Sequence, residues 1–164
     1  MAKLAPFLAT SILGVFASAC ASEVATDGGA APTTERLQAV AAAGAEVMPF
    51  DLERTTHIFS DQAWGGEQVV VSDDGDTTQI ALIRAHLSAE AARFAHGEFA
   101  SPEHIHGQNM PGLDVMRSAE IEISYSERPQ GGAITYRATD QAVIHAIHAW
   151  FAAQRSDHGA HAAH

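Results

Sequence analysis

Glu120-Ile121-Glu122-Ile123-Ser124-Tyr125, Pro129-Gln130-Gly131-Gly132 and Ala133-Ile134-Thr135-Tyr136-Arg137 follow one another in the chain. The first alternates polar and apolar residues with a period of two, the second is a turn, and the third alternates again. That pattern predicts a β-hairpin with one face turned to a core. Upstream, Thr56-His57-Ile58-Phe59-Ser60, Trp64-Gly65-Gly66 and Gln68-Val69-Val70-Val71-Ser72 make the same reading possible a second time.

Each hairpin is followed by a helical pattern. Asp76 or Thr77 caps a helix to about Phe94, with Ile80, Ile83, Leu87, Ala91 and Phe94 on one stripe. A second helix from about Asp140 to Arg155 carries Val143, Ile147, Trp150 and Phe151. The turn glycines Gly65 and Gly131 stand 66 positions apart, and the helix stripes superpose at nearly the same shift. The expected fold is α+β: a duplicated ββα unit forming a four-stranded antiparallel sheet with two helices on one face.

The front of the chain has a different character. Met1 to Cys20 holds Lys3, an apolar run from Leu4 to Phe16, and Ala17-Ser18-Ala19-Cys20. This predicts an export signal over 1–20, with Cys20 as the residue that a lipoprotein signal would leave acylated. The expectation is an exported protein on the periplasmic side of a bacterial membrane, held only by that lipid anchor. Residues 21–47 read as a flexible tether with a short helix from Thr33 or Thr34, broken by Gly44. The domain then spans 48–156, and 157–164 is a His-rich tail with nothing to bury.

Charge and composition narrow the chemistry. The formal net charge is −11, with twenty acidic residues against nine basic ones, and Lys3 is the only lysine. Nucleic acid is therefore not an expected partner, whereas a cation is. A single cysteine rules out thiolate zinc sites, iron–sulfur clusters and c-type haem attachment. Asp73-Asp74-Gly75-Asp76 lacks the spacing and the closing Glu of a calcium loop.

Ten histidines, all from His57 onward, carry the functional signal. Pro102-Glu103-His104-Ile105-His106-Gly107-Gln108-Asn109-Met110-Pro111-Gly112-Leu113 joins two imidazoles to a thioether in a stretch read as an irregular crossing segment over 97–118. Imidazole with thioether is a donor set that suits copper. Met110 reads equally as a ligand or as a core plug. His57 shares a strand face with Phe59 and should look inward. His86 falls at the border of its helix stripe with Glu90 at i+4, and His148 falls at a similar border. His96 and His145 point to solvent, and His158, His161 and His164 read as a loose surface scavenger. Any one border histidine is commonly a half-buried residue bonded to a carbonyl. Jointly, His57, His86, His106 and His148, with His104 or Met110, are the expected metal ligands.

From Met48 onward the chain resembles a group of small exported bacterial proteins. The shared stretches are Met48-Pro49-Phe50, Thr55-Thr56-His57, Ile83-Arg84-Ala85-His86-Leu87, Ile105-His106-Gly107, Met110-Pro111-Gly112-Leu113, His148-Ala149-Trp150-Phe151 and Asp157-His158-Gly159. The resemblance implies copper or heavy-metal handling. Members are sometimes labelled aspartate carbamoyltransferase, but a carbamoyl-phosphate loop of Ser-Thr-Arg-Thr type and a catalytic lysine are both missing here. The expected function is sequestration or delivery of a transition metal, copper first and zinc as an alternative. Three other readings stay open: haem b held by a His pair or His/Met, a metal-dependent enzyme with Glu90 as base, and a purely structural envelope protein whose histidines hold nothing.

Overall fold

The computed structural model describes residues 31–163, so the expected signal, Cys20 and His164 lie outside the described residues. The fold is α+β. Strands β1 (Thr55–Gln62), β2 (Gly65–Ser72), β3 (Glu122–Arg128) and β4 (Gly131–Arg137) form an antiparallel sheet in the order β3-β4-β2-β1. A two-residue strand, β5 (Ala162–Ala163), adds to the far edge parallel to β1, with Ala162 beside His57. It lies in the stretch expected to be a free tail. In the central pairing Gly65 stands opposite Arg137 and Gly131 opposite Val71, a register symmetric under the 66-residue shift of the two turn glycines. Register symmetry alone does not establish a duplicated unit.

Five α-helices complete the fold among the described residues: α1 (Thr34–Val47), α2 (Thr77–Phe94), α3 (Ala100–His106), α4 (Leu113–Ser118) and α5 (Gln141–His158). Helices α2 and α5 begin where their caps dictate. Asp76 accepts from the backbone N–H groups of Thr78 and Gln79, and Asp140 accepts from that of Ala142. Both helices lie on one face of the sheet, because only that face presents Phe59, Val70, Ile134 and Tyr136. Trp150 of α5 is fully buried among Tyr136, Phe94 and Phe99, with ring centroids at 5.5, 6.2 and 5.8 Å in edge-to-face contacts. Aromatic pairs of this geometry add to the large apolar area they bury.

Three boundaries differ from the sequence reading. Helix α1 runs through Gly44 to Val47, and Val40 is buried in the core, so the compact unit begins at Ala31 rather than at Met48. Gly44 is there for closeness: a Cβ would stand 3.1 Å from both Leu52 Cδ1 and Met48 Cε. The crossing segment 97–118 is not irregular but holds α3 and α4. Pro102 falls in the first turn of α3, where the backbone has no intrahelical bond to lose, and Gly107 (φ 92°) ends it. Helix α5 continues past Arg155 to His158. No described helix is long and apolar enough to cross a membrane.

The close pairing of β4 with β2 depends on Gly131, since a Cβ there would overlap the Val70 carbonyl. Gly131→Ala should cost about 3 kcal/mol in urea unfolding, the upper end of overpacking penalties. An unchanged midpoint would show that the strands can part at no cost.

Candidate metal centre

The cavity histidines are positioned by two periodicities, that of a strand and that of a helix. On β1, His57 and Phe59 are two residues apart and share the inward face, leaving His57 only 4% exposed. On α2, His86 and Glu90 are one turn apart and overlie each other. On α5, Trp150, Gln154 and His158 follow at i, i+4 and i+8. Helix α3 contributes His106, whose side chain is 1% exposed. These elements line a cavity of about 40 Å³, with His57, His86, His106, His158, Glu90 and Met48 among its walls.

Of the expected ligands, the structure therefore brings together His57, His86 and His106. It does not bring His104, Met110 or His148 to the cavity. Helix α3 turns His104 about 200° away from His106, at ~100° per residue, and its Nε2 lies 2.9 Å from Glu46 Oε2 at the surface. Met110 is buried as a core plug. His148 Nε2 bonds the carbonyl oxygens of Gln62 and Gly65 at 3.0 and 2.8 Å, which is the ordinary fate of a border histidine. Two residues outside the expected set line the cavity instead: His158, read from the sequence as part of a loose tail, and Met48, read only as the start of the domain. His161 is also not loose, since its Nε2 lies 3.6 Å from Glu53 Oε2.

The rings pack tightly. His57 and His158 stack face to face, with centroids 4.7 Å apart and planes 8° from parallel. His106 meets His158 edge-on at 5.2 Å, and Phe50 closes over His57 and His86 at 6.2 and 5.6 Å. Beneath His106, Asp157 Oδ2 sits 2.9 Å from Nδ1. Asp157 is gripped in turn by Arg36, through Nε at 3.1 Å and a close NH2 contact, and Arg36 also donates to the His106 carbonyl at 2.8 Å. With Asp157 ionised, Nδ1 is the protonated nitrogen of His106 and Nε2 carries the lone pair.

Protonation is disfavoured throughout. Burial, followed by the neighbouring imidazoles of His158, His86, His106 and His161, pushes His57 well below its usual range. Burial lowers His86 against the pull of Glu90, and lowers His106 against the pull of Asp157. His158 falls to about 4, by burial and then by the nearby His106. Burial pushes the Asp157 carboxyl up, but Arg36 and His106 together hold it below its ordinary value.

Several buried polar atoms here lack a partner. His57 Nδ1, Glu90 Oε2 and Trp150 Nε1 are all shielded from solvent and unbonded. The other oxygen of Glu90 is used, by Arg93 and by Ser101 at 3.1 Å. Stranding such groups costs on the order of 1–3 kcal/mol each. Yet among the described residues no group of three or more His, Cys, Asp or Glu side chains is arranged to hold a metal as it stands. Stacking explains part of this. Imidazole lone pairs lie in the ring plane, so parallel rings cannot aim both at one point.

The calcium-like stretch is accounted for differently. Arg54 pairs with Asp74 and Asp76, and Thr56 and Ser72 bond Asp73 and Asp74, so these carboxylates are already engaged within the fold. Comparison of the chain with protein-family models, curated proteins and solved structures returned no match.

A stability profile tests the electrostatics. These histidines titrate lower when folded than when unfolded, so below pH 6.5 the unfolded chain binds more protons. Metal-free protein should hold constant stability above that pH and lose it as pH falls from 6.5 towards 4, the range set by His158. Urea midpoints at pH 7.5 and 5.0 measure it, and equal midpoints would contradict neutral, buried rings.

Proposed function

We propose that this protein binds one transition-metal ion, copper in preference to zinc, within the imidazole-lined cavity, and serves to sequester or deliver it. The observation that carries the reading is the convergence of four imidazoles from β1, α2, α3 and α5 on one small cavity with a buried carboxylate and a thioether. A volume of about 40 Å³ suits an ion with a water or two, since one water needs roughly 10–15 Å³.

The donor set favours copper. Neutral imidazole suits both metals, but the Met48 thioether is a soft donor that selects for reduced copper. Bound there, copper would supply a Lewis-acidic and redox-capable centre. The protein's own part is to present lone pairs without a proton to displace, because the four rings resist protonation. Glu90 Oε2 and His57 Nδ1 are the buried atoms that gain most from a cation. Asp157 and Arg36 fix the tautomer of His106, in the manner of carboxylate–histidine pairs that orient metal ligands. Capture requires the stacked His57–His158 pair to part, and His158 is placed for that, since it is the last residue of α5 and precedes Gly159. Export with a lipid anchor at Cys20 fits a role in meeting metal outside the cytoplasm.

Titrating metal-free protein with copper should give one tight equivalent, with little proton release at pH 7. The double variant His106→Asn/His158→Asn should abolish it, while His104→Asn and His148→Asn should bind as the parent does. Asp157→Asn should weaken affinity by about 10–100-fold. Unchanged binding in the double variant, with its fold verified by circular dichroism, would rule out this cavity.

A further inference from the structure

Beside the small cavity lies a larger cleft of about 310 Å³, between α1 and the end of α5. The two spaces share Met48, His57 and His158, which therefore form the partition between them. One wall of the cleft is apolar, from Leu37, Val40 and Ala41 of α1. The other is polar and continuous: Glu53 and His161, then Asp157 and His158. Glu53 and His161 are the exposed end of this strip, with side chains 79% and 43% accessible. His161 is held near the partition because Ala162 pairs with His57 in the sheet.

We propose that the cleft is the access route of the metal ion, and that His161 with Glu53 is an outer capture point passing the ion across the His57–His158 pair to the inner cavity. This rests on the metal-binding reading above. The chemistry orders the stations. Two exposed donors make a weak, quickly exchanging site, whereas the inner cavity has several neutral donors in a desolvated setting. An ion therefore has a thermodynamic gradient inward along one wall. Exposed Glu53 supplies the charge that draws a cation to the mouth, in a protein whose net charge is already −11. The stacked pair acts as the barrier, because each ring must leave its partner before an ion can pass.

Access differs from affinity in its kinetic signature. A residue on the route but outside the final site changes the rates of loading and removal by the same factor and leaves the equilibrium constant alone. His161→Ala and Glu53→Gln should each slow copper uptake by metal-free protein, and its extraction by a chelator, by about tenfold, the lower end of electrostatic effects on association. Stoichiometry and dissociation constant should match the parent. Ala41→Trp, at an exposed position on the opposite wall, should slow both rates without removing any donor. Unchanged rates in all three variants, with tight binding retained, would overturn the route and leave the inner site standing. A weakened dissociation constant in His161→Ala would also overturn it, by making His161 a ligand of the final site. Absence of copper binding by the parent protein would overturn the metal reading and the route together.

Discussion

The contact on which the site depends is the face-to-face packing of His57 on His158. It joins an inward position of β1 to the last residue of α5, two points 101 residues apart in the chain. The two rings cannot both be charged in this packing, because two imidazolium ions at 4.7 Å in a dry setting would repel strongly. Burial supplies that neutrality and the surrounding imidazoles reinforce it. A fold seeking only stability would fill the space with leucine. Instead it leaves His57 Nδ1 and Glu90 Oε2 without partners, a cost that a cation could repay.

The second requirement is orientation, and it comes from outside the cavity. Arg36 on α1 holds Asp157 on α5, and Asp157 holds the ring of His106 on α3, so one charged chain ties three helices to a single tautomer. Helix α1 thus has two roles: it contributes Val40 to the core and walls the cleft beside the site. That is the physical reason why the domain starts at Ala31. Without α1, Asp157 would lose its cation and Met48 its cover.

Much of this was legible from residue order. Alternation exposed the four main strands, and Asp76 and Asp140 marked the helix starts. Strand parity turned His57 inward, and the stripe border on α2 located His86. The remainder failed for identifiable reasons. Helix α3 was hidden because Pro102 reads as a breaker unless it is placed in a first turn. Once a helix forms there, His104 and His106 cannot share a face. His158 was missed because Gln154 interrupts the apolar stripe of α5. Following Trp150 by fours through a buried glutamine leads directly to it. Met48 lines the cavity and Met110 does not, since position relative to proline says where a helix ends and not which side chain reaches a cavity. Strand β5 consists of two alanines and carries no pattern at all.

The central claim is that the cavity holds neutral imidazoles with one imposed tautomer. Nitrogen-15 NMR of the histidine side chains in metal-free protein at pH 6 tests it most directly. The account predicts neutral-ring shifts for His57, His106 and His158, with the proton of His106 on Nδ1. Imidazolium shifts for the three cavity rings at that pH, or a proton on Nε2 of His106, would contradict it.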